Sequence, residues 1–401
     1  MTTPGALVLT GDHRGLGIAR SLGRRGIPVW VLMEQGESLA RASRYVQRAL
    51  PFPAGDEAEQ RDHLLELADR HRLDNWVLFP TRDDTAALLG RHGDQLAERF
   101  RLTSPRWDVM RWAYDKRLTD GLAQNARVDY PWTSYPRDGS DVAAIDCSFP
   151  VILKPAVKAT LNRFTHDKAW QADDRETLLA RYEEACALVD PELIMVQELI
   201  PGGGEAQFSF AALCADGRPL ASVVARRTRQ YPVDFGHSSS FVETIEEPSI
   251  EQLARRLLAV LAYTGLVEIE FKHDARTGVH KLLDINPRVW TWHTLGGRAG
   301  VDFPYLAWRL AQREVVPSVR GRAGVRWVRL ATDIPAAVGE IRRHRLSLRD
   351  YARSFFGPLE PALFAWDDPL PALRNVPLRA YAIAKRFIRM RLMDGRRSPL
   401  P

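Results

Sequence analysis

The chain has 401 residues, of which 45% are hydrophobic and 26% charged, with a formal net charge of +6. That length allows two or three domains with ordinary cores, and no apolar run approaches the roughly 20 residues that a membrane helix needs; residues 6–10 lack the basic leader and cleavage site of a signal peptide. Cys147, Cys186 and Cys214 are odd in number and widely spaced, which argues against disulfides or structural zinc and for a reducing, cytoplasmic setting, while the charge is spread without a basic–aromatic motif for nucleic acid.

In chain order, residues 6–9 read as a buried strand. The turn Thr10-Gly11-Asp12-His13-Arg14-Gly15-Leu16-Gly17, a helix through Leu22 and a second strand over 27–32 follow. This unit begins a doubly wound parallel α/β domain. Its glycine spacing also resembles the cofactor loop of short-chain dehydrogenases, with Glu34 where a ribose-binding acid would sit and Tyr381 and Lys385 as the one Y-x(3)-K pair. An NAD(P)-dependent reductase is therefore the alternative reading. Residues 76–80 form another strand, with Arg82 and Asp83 beyond its carboxyl end either touching a substrate or simply capping and pairing. The domain is expected to span residues 1–103.

A helix is expected over 107–122, and Lys116 lies within it. Residues 149–155 (FPVILKP) are a buried strand that delivers Lys154 at its end, where an unpaired burial would be costly. Lysine is scarce: it occurs only at 116, 154, 158, 168, 272, 281 and 385, among 56 Lys plus Arg. Residues 156–167 hold no glycine, so Lys158, Arg163, His166 and Lys168 either cover an anion with side chains or decorate a hairpin. A strand at 194–197 leads into Glu198-Leu199-Ile200-Pro201-Gly202-Gly203-Gly204-Glu205. Residues 207–214 and 220–226 read as a hairpin around Asp216-Gly217. Arg226, Arg227 and Arg229 end its second strand, as an anion site or as a solvated strand end.

Residues 266–273 alternate, with Val267, Ile269 and Phe271 on one face and Glu268, Glu270 and Lys272 on the other. The returning arm, 279–285, puts Leu283 and Ile285 on one face and Asp284 and Asn286 on the opposite one. With Glu270 paired near Leu282, the oxygens of Glu270, Asp284 and Asn286 converge. They are hard donors suited to a magnesium ion that also holds phosphate oxygens. Arg288, beyond the proline that stops the strand, is expected to face the same phosphates. Trp290 and Trp292 then wall a pocket or fill the core.

The ordered run E-x-E-F-x(12)-D-I-N-P-R, from Glu268 to Arg288, resembles the metal-binding signature of the ATP-grasp superfamily. Asp284 stands where glutamate is usual. The resemblance implies an ATP-grasp fold of two α+β lobes over residues 104–312 (small lobe about 116–196, large lobe about 197–312), with a mainly helical extension over 313–401. It implies ATP and Mg²⁺ (or Mn²⁺) as cofactors, with Lys116, Lys154 and Lys168 on the phosphates. Backbone groups over 197–200, including Gln197, Glu198 and Ile200, would read adenine, and Glu205 the ribose. Glu270, Asp284 and Asn286 would hold the metal, and Arg288 and Arg227 would serve catalysis. The WxWH after DINPR and the Asp367-Asp368-Pro369 segment look like those of predicted carboligases, so the expected reaction joins a small-molecule carboxylate to an amine through an acyl phosphate, releasing ADP; a non-catalytic ATP-binding module is a further alternative. A basic helix expected over 378–392 either rests on an anionic membrane or forms a partner interface such as a homodimer.

Overall fold

A computed structural model describes residues 3–34, 39–157, 162–167, 169–233 and 238–375. Five parallel strands open the chain: β1 (Ala6–Leu9), β2 (Val29–Met33), β3 (Arg48–Pro51), β4 (Val77–Pro80) and β5 (Arg101–Leu102), in spatial order β3-β2-β1-β4-β5. Their near-continuous apolar runs follow from burial on both faces. Ala6, Val8, Val29, Val31, Val77 and Phe79 point to one core, and Leu7, Leu9, Trp30, Leu32 and Leu78 to the other.

Four strands, β6 (Thr133–Ser134), β7 (Val151–Pro155), β8 (Trp170–Ala172) and β9 (Ile194–Glu198), form a second, antiparallel sheet in the order β6-β9-β7-β8. The helix Arg175–Cys186 packs beside it through Leu178, Tyr182 and Ala185. The third sheet has eight strands: β10 (Gln207–Ala215), β11 (Arg218–Tyr231), β12 (Ser238–Ile245), β13 (Gly265–Asp274), β14 (Val279–Asn286), β15 (Val319–Arg320), β16 (Arg326–Val328) and β17 (Leu359–Pro361). Its main path runs β14-β13-β10-β11-β12-β16-β17, and β15 pairs with β11. Asp216 and Gly217, both at positive φ, make the tight β10–β11 turn.

One face of this large sheet packs with the helix Pro248–Leu261 through Val267, Ile269, Phe271, Leu282 and Ile285. The opposite face, with Trp290, Trp292 and Trp327, shares a single core with β1, β2 and β4. Both tryptophans of the WTWH segment are thus core residues. The described part of the extension adds β15–β17 and the helices Leu330–Arg342 and Leu348–Arg353. Past β17, Asp368 accepts from the buried Arg20 at 2.9 Å and from Ser43 at 2.6 Å, while Asp367 pairs with Arg24. The Asp-Asp-Pro segment therefore clamps the extension onto the helix His13–Gly23 and the Ser43 turn.

Gly15 and Gly17 are required by close packing. A Cβ at Gly15 would lie 2.2 Å from the Thr10 carbonyl, and one at Gly17 would lie 2.5 Å from His293 Nε2. His13 and His293 are covered at this junction, with side-chain exposures of 10% and residue exposure of 1% respectively. Burial pushes their pKa values down to about 3 and about 4, from 6.5. Protons therefore bind the unfolded chain first, and the stability held above pH 6.5 is lost as the pH falls toward about 4. The melting temperature should drop between pH 7 and pH 5, and His293→Gln should flatten that slope; an unchanged slope in calorimetry would contradict this account.

Candidate ATP and metal site

The expected single helix over 107–122 is broken. Helices run over Trp107–Tyr114 and Lys116–Asn125, and between them Asp115 takes an extended conformation and accepts from Arg117 N. The amide of Lys116 donates to the Ala156 carbonyl at 2.9 Å, and Asp115 bridges to Val157. The break sets Lys116 at the start of the second helix, beside the end of β7. Its Nζ donates to Asp284 Oδ1 at 2.9 Å. Burial pulls the Lys116 pKa down, but the charge and hydrogen bond of Asp284 together with the charges of Glu270 and Asp120 outweigh it, and the net shift is upward, which keeps the lysine charged.

β13 and β14 pair Glu268 with Asn286 and Glu270 with Asp284. The expected pairing of Glu270 near Leu282 is corrected by a bulge: Leu282 sits opposite Phe271, and Leu283 is the extra residue. As a result Leu282 and Ile285 face the core, while Leu283 and Asp284 both line the cleft. The bulge re-aims one side chain and bends the strand, which suits the rim of a site.

A cleft of about 1190 Å³ lies between the second and third sheets. It is lined by Lys116, Lys154, Gln197, Glu198, Ile200, Glu205, Arg227, Glu270 and Asp284, and on one side by Ala336 and Glu340 from the extension. Arg227 donates to Glu270 Oε1 at 3.1 Å. Asn286 Nδ2 lies 3.2 Å from Glu268 Oε2 and 3.4 Å from Glu270 Oε1, and its Oδ1 accepts from Arg288 at 3.1 Å. Each residue expected to hold the metal is therefore paired with one cationic residue.

Arg288 makes a two-pronged pair with Asp83, at 2.8 and 3.1 Å, so β4's carboxyl end reaches the hairpin. Glu268 is 4% exposed and accepts from Trp292 Nε1 at 2.9 Å; burial and the neighbouring Glu270 raise its pKa. Along the sequence Glu268 is one more polar-face residue of its strand, and Asp83 follows β4 as a substrate contact or a capping residue. The signal for Glu268 was the E-x-E alternation itself.

Other expectations land as follows. The Glu198 carboxylate is taken up by Trp132 N, Arg276 and Lys281, and its amide donates to the Trp132 carbonyl at 2.9 Å. Gln197 Nε2 donates to Thr133 Oγ1 at 2.9 Å, and Glu205 Oε1 accepts from Gly203 N at 2.8 Å. Arg229, proposed with Arg227 for an anion, is instead bound to the buried Asp333 at 2.8 and 2.9 Å and lies over the Phe241 ring. Arg163 pairs with Glu184. Arg82 donates to both oxygens of Glu34, the acid that the reductase reading assigns to ribose. Lys158, Lys168, Tyr381, Lys385 and the basic segment 378–392 lie outside the described residues.

Among the described residues no group of three His, Cys, Asp or Glu is placed to hold a metal. The hairpin offers two carboxylates and one amide oxygen instead. That set fits Mg²⁺, which is usually bound through one or two carboxylates plus substrate phosphates. No helix among the described residues is long and apolar enough to cross a membrane.

A parallel N-terminal sheet followed by two largely antiparallel sheets that close on a lysine- and acid-lined cleft is the arrangement of the ATP-grasp fold. Residues 190–331 match the family described as ATP-grasp in the biosynthetic pathway with Ter operon. Among solved structures, the chain is similar to the biotin carboxylase domain of 2-oxoglutarate carboxylase from Hydrogenobacter thermophilus, solved with MgADP, ADP and bicarbonate. The TM-score is 0.65 at 16% identity, covering 81% of this chain and 74% of that one. It is also similar to an L-amino acid ligase from Bacillus licheniformis, with a TM-score of 0.59 at 15% identity over 79% and 76% of the two chains. A biotin carboxylase from Campylobacter jejuni scores 0.62 at 14% identity over 78% and 72%. No curated protein sequence matches the chain. These identities support a shared fold.

Proposed function

We propose that the chain is an ATP-dependent ligase that activates a carboxylate and joins it to an amine. The observation that carries this reading is the convergence of Lys116, Lys154, Arg227, Glu270 and Asp284 on one cleft beside the 197–205 turn. Lys154, at the end of β7, and Lys116 would hold the triphosphate. The backbone of 197–200 would meet adenine and Glu205 the ribose, and Lys168 is assigned to the phosphates by family resemblance alone. Glu270, Asp284 and Asn286 would hold Mg²⁺, which when bound with ATP supplies a Lewis acid on the phosphate oxygens.

The chain's own cations do the remaining electrostatic work. Phosphoryl transfer depends mainly on positioning and charge stabilisation, so Lys116 and Arg227 would exchange their carboxylate partners for phosphate oxygens as the nucleotide enters. A substrate carboxylate oxygen would attack the γ-phosphorus, releasing ADP and leaving an acyl phosphate. An amine would then attack the acyl carbon and expel phosphate. Arg288, held by Asp83 and Asn286, and Arg227 would stabilise the developing oxyanion. The solved relatives support this class of chemistry: one was crystallised with MgADP and bicarbonate, and another is an amino acid ligase.

Calorimetric titration with a non-hydrolysable Mg·ATP analogue tests the reading, with NADH and NADPH run alongside. Binding should disappear with EDTA and weaken at least about tenfold in Lys154→Ala, the loss of roughly one charge-assisted contact. ADP release in a screen of carboxylates and amines would then identify the substrates. Binding of a nicotinamide cofactor alone would favour the reductase instead.

A further inference from the structure

We propose that the outer face of the extension's two helices, Leu330–Arg342 and Leu348–Arg353, is a docking surface for an anionic lipid bilayer. The inference is independent of the reaction assigned to the cleft.

The helix Leu330–Arg342 is two-sided. Thr332, Asp333, Ala336 and Ala337 are buried, while Leu330, Ile334 and Val338 are 49%, 52% and 41% exposed. Positions four apart share one side of a helix, so these three form an apolar stripe. The shorter helix lies alongside, because Arg229 bonds Asp333 of the first at 2.8 Å and Ser354, just past the second, at 3.2 Å. It adds Leu348, and Phe356 follows it; they are 72% and 74% exposed. Of the twelve large apolar side chains exposed among the described residues, eight lie over 330–373. A surface that meets only water scatters such residues singly.

Charge decides what covers this stripe. Residues 341–356 hold five arginines and one acid, Asp350, and Arg342, Arg345, Arg349 and Arg353 are exposed. From residue 313 onward lie 18 of the 56 Lys plus Arg but 8 of the 50 Asp plus Glu, so the extension is net positive and the rest of the chain net negative. A second copy docking through the same face would set these arginines against themselves, since a two-fold interface pairs a patch with its own image. Residues 376–401 suit the face no better, with seven Lys or Arg and one Asp. Nucleic acid would satisfy the arginines but leave the apolar stripe in water. An anionic bilayer meets both needs: its headgroups attract arginine, and apolar side chains enter the boundary between headgroups and acyl chains. The inner side of the same helix supplies Ala336 and Glu340 to the cleft, so docking would hold the cleft about one helix diameter, roughly 10 Å, from the headgroups.

Vesicle flotation of the full chain, with phosphatidylcholine alone or mixed with phosphatidylglycerol, tests this. Partition onto the anionic vesicles should be at least about tenfold stronger than onto phosphatidylcholine. Ile334→Gln/Val338→Gln keeps charge and helix propensity, and should lower anionic partition about tenfold with the melting temperature unchanged. Arg342→Gln/Arg349→Gln should lower it about tenfold and weaken its dependence on salt. Absence of partition onto the anionic vesicles overturns the inference. So does wild-type partition in either double variant, which would place lipid contact in residues 376–401 alone. Sedimentation velocity covers the remaining occupant: a wild-type dimer that Ile334→Gln/Val338→Gln dissolves would make the face an interface between copies and overturn the inference likewise.

Discussion

Replacing Asp284 with asparagine is expected to lower ADP release by about 100-fold or more, beyond the roughly 10–100-fold typical of a residue that acts through a metal ligand. The substitution keeps size and shape but removes one of the two charges on the hairpin set. It also removes the partner of Lys116, whose Nζ lies 2.9 Å from Asp284 Oδ1. The lysine remains charged and turns to phosphate or solvent, since Asp284 is at the cleft wall and not in the core. The fold should persist: Leu282 and Ile285, on either side of the bulge, carry the packing of β14. Steady-state ADP release together with thermal melting checks the two halves of the claim. Full turnover by a folded Asp284→Asn protein would falsify the metal assignment.

The second large effect is on stability. Asp333→Ala should cost about 3–5 kcal/mol, the range for removing one partner of a buried ion pair. The Asp333 side chain is 0% exposed, and it accepts two hydrogen bonds from Arg229 and one from Ser240 at 3.2 Å. Arg229 is itself confined between the Phe241 and Tyr351 rings, at 4.0 and 5.0 Å from their centroids. Without the carboxylate its guanidinium would be buried and uncompensated. The damage should reach the cleft, because the helix Leu330–Arg342 that carries Asp333 also supplies Ala336 and Glu340 to the wall. Urea unfolding of Asp333→Ala, and of the double variant Arg229→Met/Asp333→Leu, distinguishes a lost interaction from a stranded charge: the double variant should recover much of the loss. A single variant within 1 kcal/mol of the wild type would mean that Arg229 reaches water.

The same pair shows why part of the site could not be read along the chain. Arg226, Arg227 and Arg229 look equivalent in sequence, three cations at the end of one strand. The irregular pairing of β11 with β12 between Arg227 and Gln230 separates their directions. Arg227 turns to Glu270 in the cleft, and Arg229 to a carboxylate 104 residues away. Asp83 and Arg288 are 205 residues apart and meet only because the first sheet's core continues into the large sheet.

Local pattern determined a good deal. The period-two alternation over 266–273 places Val267, Ile269 and Phe271 in one core and turns Glu270 and Lys272 to the cleft, because a pleated strand has only two sides. The apolar runs of β1, β2 and β4 announced a sheet buried on both faces, and the ordered lysines, glycine turn and acidic hairpin pointed to the ATP-grasp fold. Periodicity is intrinsic to the backbone, so it survives without knowledge of neighbours. What tertiary structure alone decided were the exceptions to that periodicity and the partners across it. The bulge at Leu283, the helix break at Asp115, the clamp formed by Asp367 and Asp368, and the burial of Glu268 against Trp292 all depend on groups distant in sequence. Their energies come from contacts that exist only once the chain has closed on itself, and no local spacing encodes them.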